Sequence, residues 1–372
     1  MNATLSDRIL LLLSIKENGK KIDLNHILEK VSRDERRNFE ESEIVKELDL
    51  LAKEGLITSS QEGHSITREG LKKIKERLPL VGNSLNLSYR MMLLAREYYS
   101  QIADQIMPFL RGRPVSVVKI FSDDQDPINK IKPLFVRYAK YKPKPAFISI
   151  DSKELLMRYV DDHAIDYIPY VHGFDMKEPD WLVLDLDAGD ELKAKEEGFL
   201  AIKFVAKEIF NFLEENGVLP AVKFSGSRGI QVWAALDNTK IPKADLFAVY
   251  RSLIQNIQKT IEDRLSSAQV PIELRGLVER GLTTSSVAKK EERSMKVLID
   301  WSSMKPYGDV RAPFSLHYKT GLISCPIDPA RLLSFRLEEA KPELVSREAE
   351  RLSRYFELTK SDPSRLIKAC GL

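Results

Sequence analysis

Two aspartates, Asp185 and Asp187, close a strongly apolar stretch, Trp181-Leu182-Val183-Leu184-Asp185-Leu186-Asp187. In a β-strand alternate side chains share a face, so the two carboxylates point together while Leu184 and Leu186 enter the opposite layer. At roughly 5–6 Å and an effective dielectric of about 20 their repulsion is on the order of 3 kcal/mol, relieved by a proton or a divalent cation. Mg²⁺ and Mn²⁺ prefer oxygen ligands and bridge carboxylates to substrate phosphates. A third carboxylate, Asp300, ends a second apolar run, Lys296-Val297-Leu298-Ile299-Asp300. Such a set suits phosphoryl transfer assisted by two ions, with Asp185, Asp187 and Asp300 as metal ligands and catalytic residues.

A second group of residues suits phosphate. The segment Lys223-Phe224-Ser225-Gly226-Ser227-Arg228-Gly229-Ile230-Gln231-Val232-Trp233 reads as a strand, a turn and a strand. Ser225, Gly226, Ser227, Arg228 and Gly229 offer accessible backbone N–H groups, two hydroxyls and a guanidinium, the parts of a triphosphate cradle. Gln231 adds an amide donor just beyond the turn. After Asp300 the chain places Arg311, His317 and Lys319 close together, donors that would neutralise charge building on phosphates. His26, His64, His163 and His172 have no metal-ligand spacing and read as structural or surface residues.

These residues need a sheet to hold them. Apolar runs at 181–187, 221–224 and 296–300 predict strands. A helix from about Leu192 to Glu215 carries Phe199, Ile202, Ala206, Ile209 and Leu213 on one stripe, and a second runs from about Asp245 to Leu265. The alternation predicts an α+β domain, a mixed sheet surrounded by helices. A further helix, Met91 to Met107, is expected to stop at Pro108, before a strand from Val115 to Phe121. The stretch Lys130 to Lys144 interleaves Lys132, Arg137 and Lys140 with Phe135, Tyr138 and Tyr141. With Arg111 and Arg113 it is a candidate nucleic-acid surface.

Residues 1–80 read as a separate unit: three helices ending at Gly55, a hairpin turning at Glu62-Gly63, and a last helix from Arg68 to Leu78. That order resembles a winged helix-turn-helix domain, able to contact DNA or a protein partner. Residues 81–90 read as a linker, 91–335 as the catalytic domain, and 336–372 as a charged helical tail.

Bulk properties set the frame. At 372 residues two or more domains are expected, and 43% hydrophobic with 30% charged residues describes an ordinary globular chain. The net charge of +3 permits nucleic-acid binding without demanding it. Two cysteines, Cys325 and Cys370, are too few for a four-thiolate zinc site and suit a reducing compartment. The N-terminus lacks the pattern of a signal peptide and no apolar run approaches membrane length, so a cytoplasmic protein without membrane contact is expected.

With these residues in view, the chain resembles the archaeo-eukaryotic primase superfamily. Leu184-Asp185-Leu186-Asp187 is similar to its first motif, Ser225-Gly226-Ser227-Arg228-Gly229 to the start of its second, and Asp300 to the single Asp of its third. The run Tyr98-Tyr99 through Arg113-Pro114, with Pro179-Asp180-Trp181, resembles the polymerase domain of bacterial ligase D. Arg311-Ala312-Pro313-Phe314-Ser315-Leu316-His317-Tyr318-Lys319-Thr320-Gly321 is similar instead to primase small subunits. Gln231 stands where the family places a His on the incoming nucleotide's phosphates, and the cysteine-rich zinc element of primase small subunits is missing. The resemblance implies a primase-type core, nucleoside triphosphates and a DNA or RNA template-primer as substrates, and two Mg²⁺ or Mn²⁺ ions. As partners it implies a ligase, a Ku-like factor or a primase large subunit. The rival expectation is a catalytically degenerate nucleic-acid-binding module or a winged-helix regulator.

Overall fold

The computed structural model describes all residues except 1–2, 15–20, 33–37, 82–86, 122–133, 142–145, 176–177 and 243–244. Contacts gather the chain into two units. One comprises Met1–Tyr99, Lys119–Val136 and Met157–Ile165, and the other Ser100–Val118, Arg137–Leu156 and Asp166–Leu372.

The first unit begins with α1 (Leu5–Ser14), α2 (Leu24–Val31) and α3 (Glu41–Lys53), followed by β1 (Ile57–Ser60), β2 (Gly63–Ile66) and α4 (Arg68–Val81). Asp23 caps α2 by accepting from the His26 N–H, as a short polar side chain at that position does. Gly55, at φ +72°, ends α3, with the Leu56 N–H returning to the Leu51 carbonyl at 2.9 Å. The hairpin pairs Ile57 with Ile66, and Ile22 adds a bridge to His64. Its core holds Ile9, Leu12, Ile27, Ile44, Leu48 and Ile74. The last helix runs on through Pro79 to Val81, past the expected end at Leu78. The Gly82-Asn83-Ser84 part of the expected linker lies outside the described residues.

Next come α5 (Leu87–Leu110), β3 (Val115–Phe121), β4 (Leu134–Tyr138), β5 (Lys140–Tyr141), β6 (Ala146–Phe147), α6 (Lys153–Asp161) and β7 (Ala164–Pro169). Strands β4, β3 and β7 lie in that order in a three-stranded sheet. Helix α5 does not stop before Pro108 as expected. Its one non-helical residue is Ile102, and Pro108 lies within its last turn.

The second unit contains the main sheet. Its elements are β8 (Leu182–Ala188), α7 (Asp190–Lys193), α8 (Gly198–Glu215), β9 (Pro220–Phe224), β10 (Ile230–Leu236), α9 (Leu246–Leu265), α10 (Arg275–Val278), β11 (Thr283–Ser285), α11 (Lys290–Arg293) and β12 (Val297–Asp300). The chain closes with α12 (Pro342–Arg347), α13 (Ala349–Arg354), β13 (Lys360–Ser361) and α14 (Ser364–Ala369). Strand β10 is antiparallel to both β8 and β9, and β12 is antiparallel to β8. The order β12-β8-β10-β9, with crossovers α8 and α9, is two interlocked split βαβ units, a ferredoxin-like β-α-β-β-α-β core. Strand β11 extends one edge beside β12, and β13 pairs with the end of β10.

The predicted long helix is two helices. Gly198 permits the break: a Cβ there would lie 2.2 Å from the Leu192 carbonyl oxygen, so the short α7 packs against the start of α8. Helix α8 lies across β8, β9 and β10 and is buried along much of its length, while α9 packs on α8 and buries Tyr250, Leu253, Ile257 and Ile261. The strands are correspondingly apolar: Leu184, Leu186, Val222, Phe224, Val232, Val297 and Ile299 are fully buried. Among the described residues no helix is long and apolar enough to cross a membrane.

Candidate functional site

The register of the sheet builds the site. Asp300 on β12 lies directly opposite Asp185 on β8; Asp185 lies opposite Gln231 on β10, and Gln231 opposite Lys223 on β9. Directly opposed residues share a face, with Cβ atoms about 4.5–5.5 Å apart, so Asp300, Asp185, Gln231 and Lys223 form one row across four strands. Asp187 lies one repeat along β8, opposite Leu298.

The row is electrically uneven. Burial pushes the Asp185 carboxyl up to about 6; Lys223 and a Gln231 hydrogen bond oppose that, while Asp300 and Asp187 reinforce it. Burial and the Arg311 charge push the Lys223 ammonium down to about 7, against the pull of Asp185 and Asp166. Lys223 is fully buried and donates to Ser324 Oγ at 2.5 Å. Gln231 links two neighbours: its Oε1 accepts from Trp233 Nε1 at 3.1 Å, which turns the amide N–H₂ toward Asp185. Asp300 accepts from Ser286 Oγ (3.0 Å), the Ser302 N–H (2.8 Å) and Ser302 Oγ (3.0 Å). Asp187 is half exposed and meets Lys193 Nζ of α7 at 2.9 Å.

The Ser-Gly-Ser-Arg-Gly turn joins β9 to β10 beside this row. Ser225 closes it: the Ser225 N–H donates to the Gly229 carbonyl at 2.9 Å, and the Gly229 N–H donates to Ser225 Oγ at 3.1 Å. Gly226 has φ +90°, and a Cβ there would come within 2.9 Å of the His317 Cβ. Gly229 passes so close to β8 that a Cβ would lie 2.4 Å from the Leu186 carbonyl oxygen. Close approach thus dictates both glycines, and at Gly226 the left-handed φ does as well. Ser227 is partly exposed and Arg228 exposed at the tip.

The segment after β12 supports the turn from behind. Arg311 grips the fully buried Asp166 of β7 with Nε (2.9 Å to Oδ1) and Nη2 (2.8 Å to Oδ2), and its Nη1 donates to the Ser225 carbonyl at 3.0 Å. Ser315 Oγ also donates to Asp166, at 3.1 Å. The Arg311 charge is therefore engaged by Asp166, and its geometry ties the turn to the sheet. Burial and Arg311 push the His317 imidazole down to about 4. Its Nδ1 accepts the N–H groups of Lys319 and Thr320, both at 3.3 Å, so the neutral ring carries its proton on Nε2. Lys319 is exposed, its Nζ 5.4 Å from the centre of the Tyr318 ring.

The other candidates are dispersed. Arg113 stacks on Trp181 at 3.7 Å and pairs with Asp180 at 3.0 Å, which commits it to packing. Arg137 pairs with Asp309, and Arg111 is exposed, donating from Nε to the Asp151 carbonyl. Lys132 lies outside the described residues, and the Lys140 backbone is in β5. His172 is fully buried, with Nδ1 2.7 Å from the Gly173 carbonyl oxygen and Nε2 accepting from Tyr307. Cys325 and Cys370 are both buried, and burial pushes the Cys325 thiol up to about 12.

Sequence reading left Asp166, Lys223 and Ser324 without roles. Lys223 carried one signal: it is the lone charge in Ala221-Val222-Lys223-Phe224, on the same alternate face as Ala221.

Among the described residues no three His, Cys, Asp or Glu side chains are gathered into a metal-ligand group. The chemistry of the carboxylates nevertheless fits a hard divalent cation. The donors are all oxygens, Asp185 and Asp300 face each other across β8 and β12, and burial, reinforced by the Asp300 charge, raises the Asp185 carboxyl.

Comparison with curated protein sequences gives no match. Among solved structures, the chain is similar to the polymerase domain of Mycobacterium tuberculosis ligase D in complex with DNA. The TM-score is 0.50 at 18% identity, over 70% of this chain and 91% of that one. At that identity the likeness concerns the fold. The family model described as "LigD, primase-polymerase domain" matches residues 94–352, which take in β8, the glycine-rich turn, β12 and the Arg311 segment. A family-model match over most of the chain makes this protein a member of the LigD primase-polymerase domain family, within the archaeo-eukaryotic primase superfamily of nucleotidyltransferases.

Proposed function

We propose that the protein adds nucleotides to the 3′ end of a nucleic-acid strand under the direction of a template, in end joining, gap repair or priming. The observation that carries this reading is the cross-strand pair Asp185–Asp300 beside the Ser-Gly-Ser-Arg-Gly turn. Asp185, Asp187 and Asp300 would hold Mg²⁺ or Mn²⁺. Bound there, the ions would activate the primer hydroxyl and neutralise charge on the triphosphate and departing pyrophosphate.

The protein's own groups then divide the work. Exposed Arg228 and Lys319 bring cations to the phosphates of a nucleoside triphosphate, and His317 offers a neutral Nε2–H. Arg311 orients the turn through the Ser225 carbonyl. Gln231 stands in the position of the family's His and works on the carboxylate side of the site, donating to Asp185. That the structural neighbour was solved with DNA supports a nucleic-acid substrate here too. Residues 1–80, with their helices and hairpin, would act as a winged helix-turn-helix that positions a duplex or docks a ligase, a Ku-like factor or a primase large subunit.

The test is incorporation of labelled ribo- and deoxynucleotides on a primed template and on an unprimed strand, with Mn²⁺ or Mg²⁺. The Asp185→Ala/Asp187→Ala protein should incorporate nothing while keeping its fold, and undiminished incorporation would sink the assignment. Gln231 favours one rival, a non-catalytic binding module. It predicts DNA binding without incorporation in the unaltered protein.

A further inference from the structure

The loop after β12 ends in a feature that the reaction does not require. Tyr307 has φ +64°, a left-handed conformation rare for an aromatic residue, and yet its side chain is 50% exposed. Its backbone is firmly held. The Tyr307 N–H donates to Nε2 of the fully buried His172 at 3.0 Å, and the Gly308 N–H closes the turn on the Lys305 carbonyl at 2.8 Å. Arg251 of α9 donates to the Met304 carbonyl at 2.7 Å. Gly308 admits no side chain, since a Cβ would fall 1.8 Å from the Ser303 carbonyl oxygen. The Tyr307 ring is backed by Phe147, with centroids 6.0 Å apart and planes 31° apart. Glycine would occupy that φ without strain, so stability alone does not explain an aromatic there.

We propose that Tyr307 is a stacking platform for a nucleobase of the bound nucleic-acid strand. A ring fixed on a closed turn loses little freedom on stacking, and it accepts any base because every base has a π-face. Exposed Lys305 in the same loop supplies a cation for a backbone phosphate. The inference rests on the polymerase reading and extends it to how the strand is held.

The test uses the full-length protein, with Tyr307→Gly and Tyr307→Phe, and measures anisotropy of a labelled single strand and a primed template without nucleotide. Tyr307→Gly should weaken strand binding about tenfold and leave the slope of log affinity against log salt unchanged, because no phosphate contact is lost. Its melting temperature should stay within about 2 °C of the unaltered protein, relief at φ offsetting lost ring contact. Tyr307→Phe should bind as the unaltered protein does. Unchanged strand affinity in Tyr307→Gly overturns the inference, and a tenfold rise in nucleotide KM alongside it would move the base to the incoming nucleotide. A weakening accompanied by a melting temperature lower by more than about 5 °C also overturns it, marking the ring as structural. If the unaltered protein binds no nucleic acid at all, the polymerase reading falls with it.

Discussion

Replacing Arg311 with Leu isolates what the Arg311–Asp166 pair does. Asp166 is fully buried, and three of its contacts, at 2.8 to 3.1 Å, come from this one guanidinium. Removing the guanidinium leaves Asp166 with Ser315 Oγ at 3.1 Å and the Tyr318 N–H at 3.4 Å. Breaking a buried pair from one side costs about 3–5 kcal/mol, chiefly the uncompensated charge. For a unit of this size that is a fall of about 8–15 °C in melting temperature. Trp181, Trp233 and Trp301 all lie in the second unit, so tryptophan fluorescence during heating reports on the unit that holds the pair. Adding Asp166→Leu should recover most of the stability by removing the orphaned charge. Nucleotide affinity should stay reduced in the double variant, because the Ser225 carbonyl still lacks its donor. A single Arg311→Leu protein melting within about 3 °C of the unaltered one would refute the argument, reducing the pair to the rank of a surface ion pair.

Two further predictions concern other parts of the chain. Gln231→Leu removes the acceptor of the buried Trp233 Nε1 and the amide donor to Asp185, and should lower stability by about 1–3 kcal/mol in urea titration; an unchanged midpoint would contradict the bridging role. In the first unit, burial pushes Asp7 up, but hydrogen bonds from Arg77 and Thr4 outweigh it and leave the carboxyl below its usual range. Its folded value being depressed, the stability it supplies is complete above the unfolded value of about 3.9 and fades as pH falls through the folded one. Helical circular dichroism during heating, between pH 2 and 6, should therefore show the unaltered protein converging on Asp7→Asn at the acid end; a constant gap would count against it.

The carboxylates were legible because a strand's period of two is written in consecutive residues: Asp185 and Asp187 need only their neighbours to declare a shared face. The glycine-rich turn was legible for the same local reason. What could not be read was register. Nothing near Asp185 says that Asp300, Gln231 and Lys223 will line up with it, because that alignment is fixed by how β8, β9, β10 and β12 slide against one another. The Arg311–Asp166 pairing could not be read either, because Asp166 lies far back in the chain on a strand that gave no chemical signal. Helix ends were misjudged where one residue was weighted alone: Pro108 did not stop α5, and the packing at Gly198 split what periodicity presented as one helix.

The interlocked split topology also sets an order of assembly. A chain that has emerged from the ribosome only as far as β10 already holds Asp185, Asp187, the glycine-rich turn and the α8 crossover, but lacks the cross-strand partner Asp300. Asp300 arrives only after α9 has crossed and β12 has docked against β8. The third carboxylate thus joins the first two after most of the core that must hold it exists, and a truncated or half-made product carries the phosphate-type turn without the complete set that would act on it.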